Sequence, residues 1–167
     1  MKSKTLVYGA GAITLILVSF FFFKGLTNLI NCITVPLIFL FFTQGFDLRS
    51  NFAIGTSVLL AVVFMFPSQI IFVLIDLGMV VLLRFILRQH SLIRLLYPIS
   101  VTFLLISGVI LTDKLFQTQI NSFVVRISGG NGYIYFLIFF IEGLIISGLH
   151  FLFYHRILRR LTHSSIR

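Results

Sequence analysis

Long apolar runs, separated by short breaks that carry most of the charge, leave this chain few ways to fold. They lie near residues 5–23, 26–42, 52–66, 70–87, 95–112 and 133–155. A helix needs about 20 apolar residues to cross about 30 Å of hydrocarbon. Six crossings with short loops use up the 167 residues, leaving no soluble domain of appreciable size. The sequence is 59% hydrophobic and 10% charged, against roughly 25% charged in soluble domains, and its mean hydropathy is +1.12. A water-soluble fold of this size could not hide that much apolar surface. The expectation is an all-α, polytopic integral membrane protein: one bundle over 1–167 with the lipid bilayer as its first partner.

The basic head and apolar run at the N-terminus superficially resemble a signal peptide. The run is too long, lacks a small-residue cleavage site and is followed by further spans, so it reads as a retained first helix. The least certain division is between the third and fourth runs, where only Pro67, Ser68 and Gln69 intervene. Those residues mark either a tight hairpin or a kink in one long helix. Charge distinguishes the two. With six spans and the N-terminus inside, Lys2, Lys4, Arg49, Arg84, Arg88, Arg94, Arg156, Arg159, Arg160 and Arg167 are cytoplasmic, and Lys24, Lys114 and Arg126 are outside. That is a strong positive-inside bias, and it places both termini in the cytoplasm. The net charge of +9 thus reads as a topology signal. Without a basic patch interleaved with aromatics, nucleic acid is not expected as a partner.

Polar groups inside apolar runs carry the functional information, because ionisable groups at membrane depth cost about 2.5–3.5 kcal/mol each on insertion scales. Asp76 lies about two turns into the fourth span, and Arg84 on the same helix is about 12 Å further along the axis, too far to be a direct partner. A charged Asp76 therefore needs a partner from another span or a water-filled cavity; otherwise it is a neutral or snorkelling carboxyl bonded to a neighbouring helix. Glu142 sits at the edge of a stripe of Gly143, Ser147, His150 and Tyr154, which share one helical face. Such a stripe suits close packing or the wall of a polar pocket. Asn28 and Asn31 share a face of the second span, with Pro36 beyond them as a kink, and two amides cannot face lipid unsatisfied. Asn28, Asn31, Asp76, Glu142, Ser147 and His150 are accordingly the candidate ligand-pocket residues. In the third span Ala53, Ser57 and Ala61 form a small-residue ridge, suited to internal packing or to docking of another membrane subunit. The longest connection, 113–132, has apolar residues between Ile120 and Ile127. It reads as a surface-lying segment, a lid or a solvated connector.

Enzyme signatures are missing: there is no nucleophile elbow, no zinc helix and no phosphate-binding glycine loop. His150 and His155 are five apart and point to different faces, while His90 and His163 fall in basic segments. The single cysteine, Cys32, excludes an intrachain disulfide, makes a zinc site improbable and reads as a small buried packing residue. No catalytic residue, metal or cofactor is expected.

ITVPLIFLFFTQGFDLRSNFAIG (33–55) and IDLGMVVLLRFILRQHSLIRLL (75–96) put a proline-bearing span, a glycine-containing inner loop, a small-residue span and a glycine-bearing span ending in arginines in succession. This pattern resembles the substrate-binding S-components of energy-coupling-factor vitamin transporters and the YybS-like membrane proteins related to them. The resemblance covers about half of the chain. It implies six helices, both termini inside, an outward-opening pocket for a small molecule and a multi-pass position in a bacterial plasma membrane. It also implies docking on a shared transmembrane coupling subunit, with separate ATPases, through small residues of the first and third spans. The Ala53, Ser57 and Ala61 ridge stands where that surface would be. The family's Ala-x-x-x-Ala of the first span is replaced by the differently spaced Gly9 to Ala12. A second resemblance, to MreD-type subunits of the rod-shape machinery, implies a non-transporting scaffold. The acidic segment expected there is missing, and Asp76-Leu77-Gly78 is a poor substitute.

Overall fold

Each apolar run forms a helix, the conformation that satisfies every backbone polar group within one segment. The structure, a computed structural model, describes residues 3–23, 28–87 and 94–158. They form α1 (Ser3–Phe22), α2 (Asn28–Phe42), α3 (Leu48–Met65), α4 (Ile70–Leu87), α5 (Leu96–Phe116), α6 (Ile120–Ile127) and α7 (Gly132–Phe153), with no strand among the described residues. Four helical segments are long and apolar enough to cross a membrane: Leu48–Met65, Pro67–Leu87, Leu96–Phe116 and Gly132–Arg156. Two further apolar segments, Leu6–Phe22 and Asn28–Phe42, are shorter. Lys2, Lys24, Arg88, His90, Arg159, Arg160, His163 and Arg167, used above for topology or weighed as histidines, lie outside the described residues.

The Pro67 break is a reversal. A residue preceding proline is disfavoured in the helical region, and Phe66 leaves it at φ −140° and ψ 64°. Pro67–Gln69 then form one 3-10 turn that leads into α4. A Cβ on Gly55 would lie 3.8 Å from Leu77 Cδ2, although an unbroken helix would separate these residues by about 33 Å. Hence α3 and α4 form an antiparallel hairpin.

Cross-helix contacts give the remaining directions. Ser19 reaches Asn31 while Gly11 faces Phe42, so α1 and α2 are antiparallel. Gly9 meets Ile54 and Phe20 meets Phe66, so α1 and α3 run parallel. Tyr97 lies beside His150 and Thr102 beside Gly143, so α5 and α7 are antiparallel. The six long helices alternate in direction, which brings the start of α1 and the end of α7 to one end of the bundle. At that end Tyr8 packs on Phe42 and Phe46, and Tyr154 shares a cavity with Thr43 and Arg84. The core is built around α2 and α4, with Val35, Phe39, Val73, Met79 and Leu83 buried together with Ile16, Phe20, Val62, Val101 and Ile146.

Candidate functional site

At the opposite end of the bundle the helices do not close. A cavity of about 690 Å³ lies between α2, α4, α5 and α7, with α6 across it. Asn28 and Cys32 come from α2, Gln69 from the 3-10 turn and Phe72 from the start of α4, Leu105 and Val109 from α5, and Phe139 and Glu142 from α7. The volume falls within the few hundred to about 1,000 Å³ typical of small-molecule pockets.

The roof is built from sequence in an economical way. Ile120, Phe123, Val124 and Ile127 fall on one face of α6, and the first three line the cavity. The helix is fixed at its N-terminus by Asp113 of α5. One carboxylate oxygen accepts from Thr118 Oγ1 (2.5 Å) and from the Ile120 amide (2.9 Å), and the other from the Asn121 amide (2.7 Å). These amides are otherwise orphan donors of a helix start. Tyr135 of α7 adds a hydroxyl donated to Asn121 Oδ1 at 2.7 Å. Gly129 (φ +61°) and Gly130 (φ +75°) turn the chain into α7, whose first amides are capped by Asn131. The 113–132 connection is therefore a covering helix between two capped ends.

The polar atoms of this region are unevenly satisfied. Among the described residues, buried oxygens of Asn28 and Gln69 have no hydrogen-bond partner, and neither carboxyl oxygen of Asp76 has one. Glu142 is half-buried and forms no hydrogen bond or ion pair among the described residues. Asp76 is fully buried on α4 and is not part of the cavity wall. Its polar neighbour is the Cys32 thiol, which does line the cavity and is itself fully buried. Arg84 donates instead to Thr43 Oγ1 at 2.5 Å at the other end of the bundle.

The other sequence candidates lie elsewhere. Asn31 turns away from the cavity toward α1, accepting from Ser19 Oγ (2.8 Å) and donating to the Phe23 carbonyl (3.0 Å). Its amide is consumed by joining two helices, because the three-residue step from Asn28 rotates it toward α1. Ser147 is buried between helices, its hydroxyl without a partner. His150 is also fully buried; its Nδ1 lies 2.7 Å from the Tyr97 hydroxyl, and its Nε2 lies 3.3 Å from the Ile33 carbonyl. A carbonyl only accepts, so Nε2 carries the proton and Nδ1 accepts from Tyr97. The reason is local. Pro36 inside α2 has no N–H, so the Cys32 carbonyl one turn earlier loses its helical donor, and the His150 ring lies beside it while bonding to the neighbouring Ile33 carbonyl. Among the described residues neither a carboxylate nor a serine or cysteine nucleophile bonds to His150.

Ala53 and Ser57 are exposed and Ala61 is half-buried. Internal packing of α3 falls to Ile54, Gly55, Val58 and Val62, so the small-residue ridge faces outward. Sequence reasoning did not reach Gln69 or Cys32 as cavity-wall residues, nor Tyr97 as the partner of His150. Gln69 carried a usable signal, as a polar side chain at the mouth of an apolar helix. Among the described residues no group of three His, Cys, Asp or Glu side chains could hold a metal ion. No protein-family model, curated protein or solved structure matches the chain.

Proposed function

We propose that this chain is a six-span subunit of the plasma membrane, with both termini cytoplasmic, that binds a small molecule from the outside and delivers it to separate energising subunits, in the manner of S-components. The observation that carries this reading is the cavity beside Asn28 and Glu142 under α6. Bundles close their interiors by packing, and a volume left among four helices and roofed by a capped helix is what a ligand site requires. The shared end of the start of α1 and the end of α7 supports an even number of crossings. The positive-inside bias then puts that end in the cytoplasm and the cavity outside. Ala53 and Ser57, exposed on α3, offer a close-approach surface for a transmembrane coupling subunit. With no nucleotide-binding motif in the sequence, ATPases would supply the energy.

A non-transporting scaffold or assembly subunit, MreD-like, accounts for Asn31 and His150, whose bonds are met by neighbouring helices. It gives no reason for the open volume beside Glu142. Native mass spectrometry of the purified protein separates the two. A retained small molecule, or co-purifying membrane and ATPase subunits, is the expected result. A ligand-free chain that recruits neither would favour the scaffold.

A further inference from the structure

The chemistry of the cavity wall narrows the ligand class, on the premise that the cavity is the ligand site. Among its described lining residues the only ionisable side chain besides the Cys32 thiol is the Glu142 carboxylate, and no Lys, Arg or His is present. Glu142 pairs with no cation among the described residues, and the unpartnered Gln69 oxygen belongs to a side chain only 9% exposed. Amides can present either end to a ligand, so Asn28 and Gln69 do not set the sign of the charge. A carboxylate does.

Three phenylalanines, Phe72, Phe123 and Phe139, line the same cavity from α4, α6 and α7. Aromatic faces attract cations, most strongly where water is excluded, and their combination with a carboxylate suits organic ammonium groups. Leu29, Leu105, Val109, Ile120 and Val124 add apolar wall, and the uncharged Ser68, Thr118 and Gln119 complete it. A bare metal ion would leave most of the 690 Å³ unfilled, and an anion would meet Glu142 with no compensating cation among the described lining residues. We infer that the cavity takes an amphipathic organic cation, an ammonium-bearing molecule with an apolar body, whose charge faces Glu142 and the three rings.

The test is equilibrium dialysis of the full chain in lipid nanodiscs with benzyltrimethylammonium. Its uncharged carbon isostere, neopentylbenzene, and the anion benzylphosphonate serve as competitors. The cation is expected to bind and to be displaced poorly by either competitor. Glu142→Gln, checked for folding by gel filtration and circular dichroism, should weaken it roughly thirtyfold or more, as for a buried charge that loses its partner. Phe123→Leu, on the exposed roof where misfolding is not at issue, should weaken the cation by roughly threefold to thirtyfold and leave neopentylbenzene unchanged. Equal binding of the cation to wild type and both variants overturns the inference. Effective competition by the neutral or anionic compound, or a neutral or anionic molecule retained in native mass spectrometry, also overturns it while leaving the ligand-site reading standing. If no probe binds and nothing is retained, both fall together.

Discussion

Gly143 determines how closely α7 approaches α5, and so where Glu142 sits. A Cβ at this position would run into Thr102 Oγ1 and lie 3.0 Å from the Pro98 carbonyl oxygen and 3.2 Å from the Thr102 amide nitrogen. Two of these three atoms are backbone and cannot swing aside. Gly143→Ala should therefore destabilise the protein by about 1–3 kcal/mol through overpacking, seen as a lowered melting temperature in detergent. Gly148, on the same helix with open space around it, is the control, and alanine there should be neutral or slightly stabilising. Tyr97→Phe removes the donor to His150 Nδ1 and leaves a buried ring nitrogen unpaired, at about 1–3 kcal/mol. In the double variant with His150→Phe the two losses should be less than additive, which thermal melts of the four proteins in the cycle would measure. Such pairings explain why single residues were only partly legible. The polar groups in apolar runs include Asn28, Asn31, Glu142 and His150 alike, but which of them meets a partner depends on helix rotations that spacing within one helix does not encode.

At the scale of elements, apolar runs located the helices well, and their ends differ where polar residues continue a helix. The fourth run, 70–87, coincides with α4. By contrast α3 starts at Leu48, one turn before its run, with the extended Asp47 at its N-terminus. Similarly α5 passes beyond residue 112 to Phe116, where Asp113 is occupied in holding α6. The amphipathic segment after it was visible in sequence, whereas its seat on the cavity depends on that carboxylate and on Tyr135. Asp113→Ala should cost about 0.5–2 kcal/mol, the range for losing a helix N-terminal cap. The loss should be local. Hydrogen exchange is expected to accelerate at the amides of residues 120–127 and to stay unchanged in α2 and α4, whose carbonyls and amides are paired within long helices.

For the whole molecule, the count of crossings rests on the reversal at Pro67. If the six long helices all cross the membrane, reporters fused to either end should report the same compartment, and the positive-inside bias makes it the cytoplasm. Alkaline phosphatase fusions should be inactive at both ends and active when inserted at Gly130, in the turn between α6 and α7. One active and one inactive terminus would mean an odd number of crossings, which the α3–α4 hairpin forbids if every long helix spans. Charge placement in the sequence leads to the same expectation of parity, although much of that charge lies outside the described residues.

The bond from His150 to the Ile33 carbonyl, just before Pro36, also ties helices together. A proline in the middle of a helix is a natural flexing point. Here that point is bolted to α7, and α7 is bolted in turn to α5 through Tyr97. Three walls of the cavity, α2, α5 and α7, are thus linked through one histidine, beside the eight-residue α6. A molecule entering such a chamber would meet the short α6 and the Asp113 bonds that seat it.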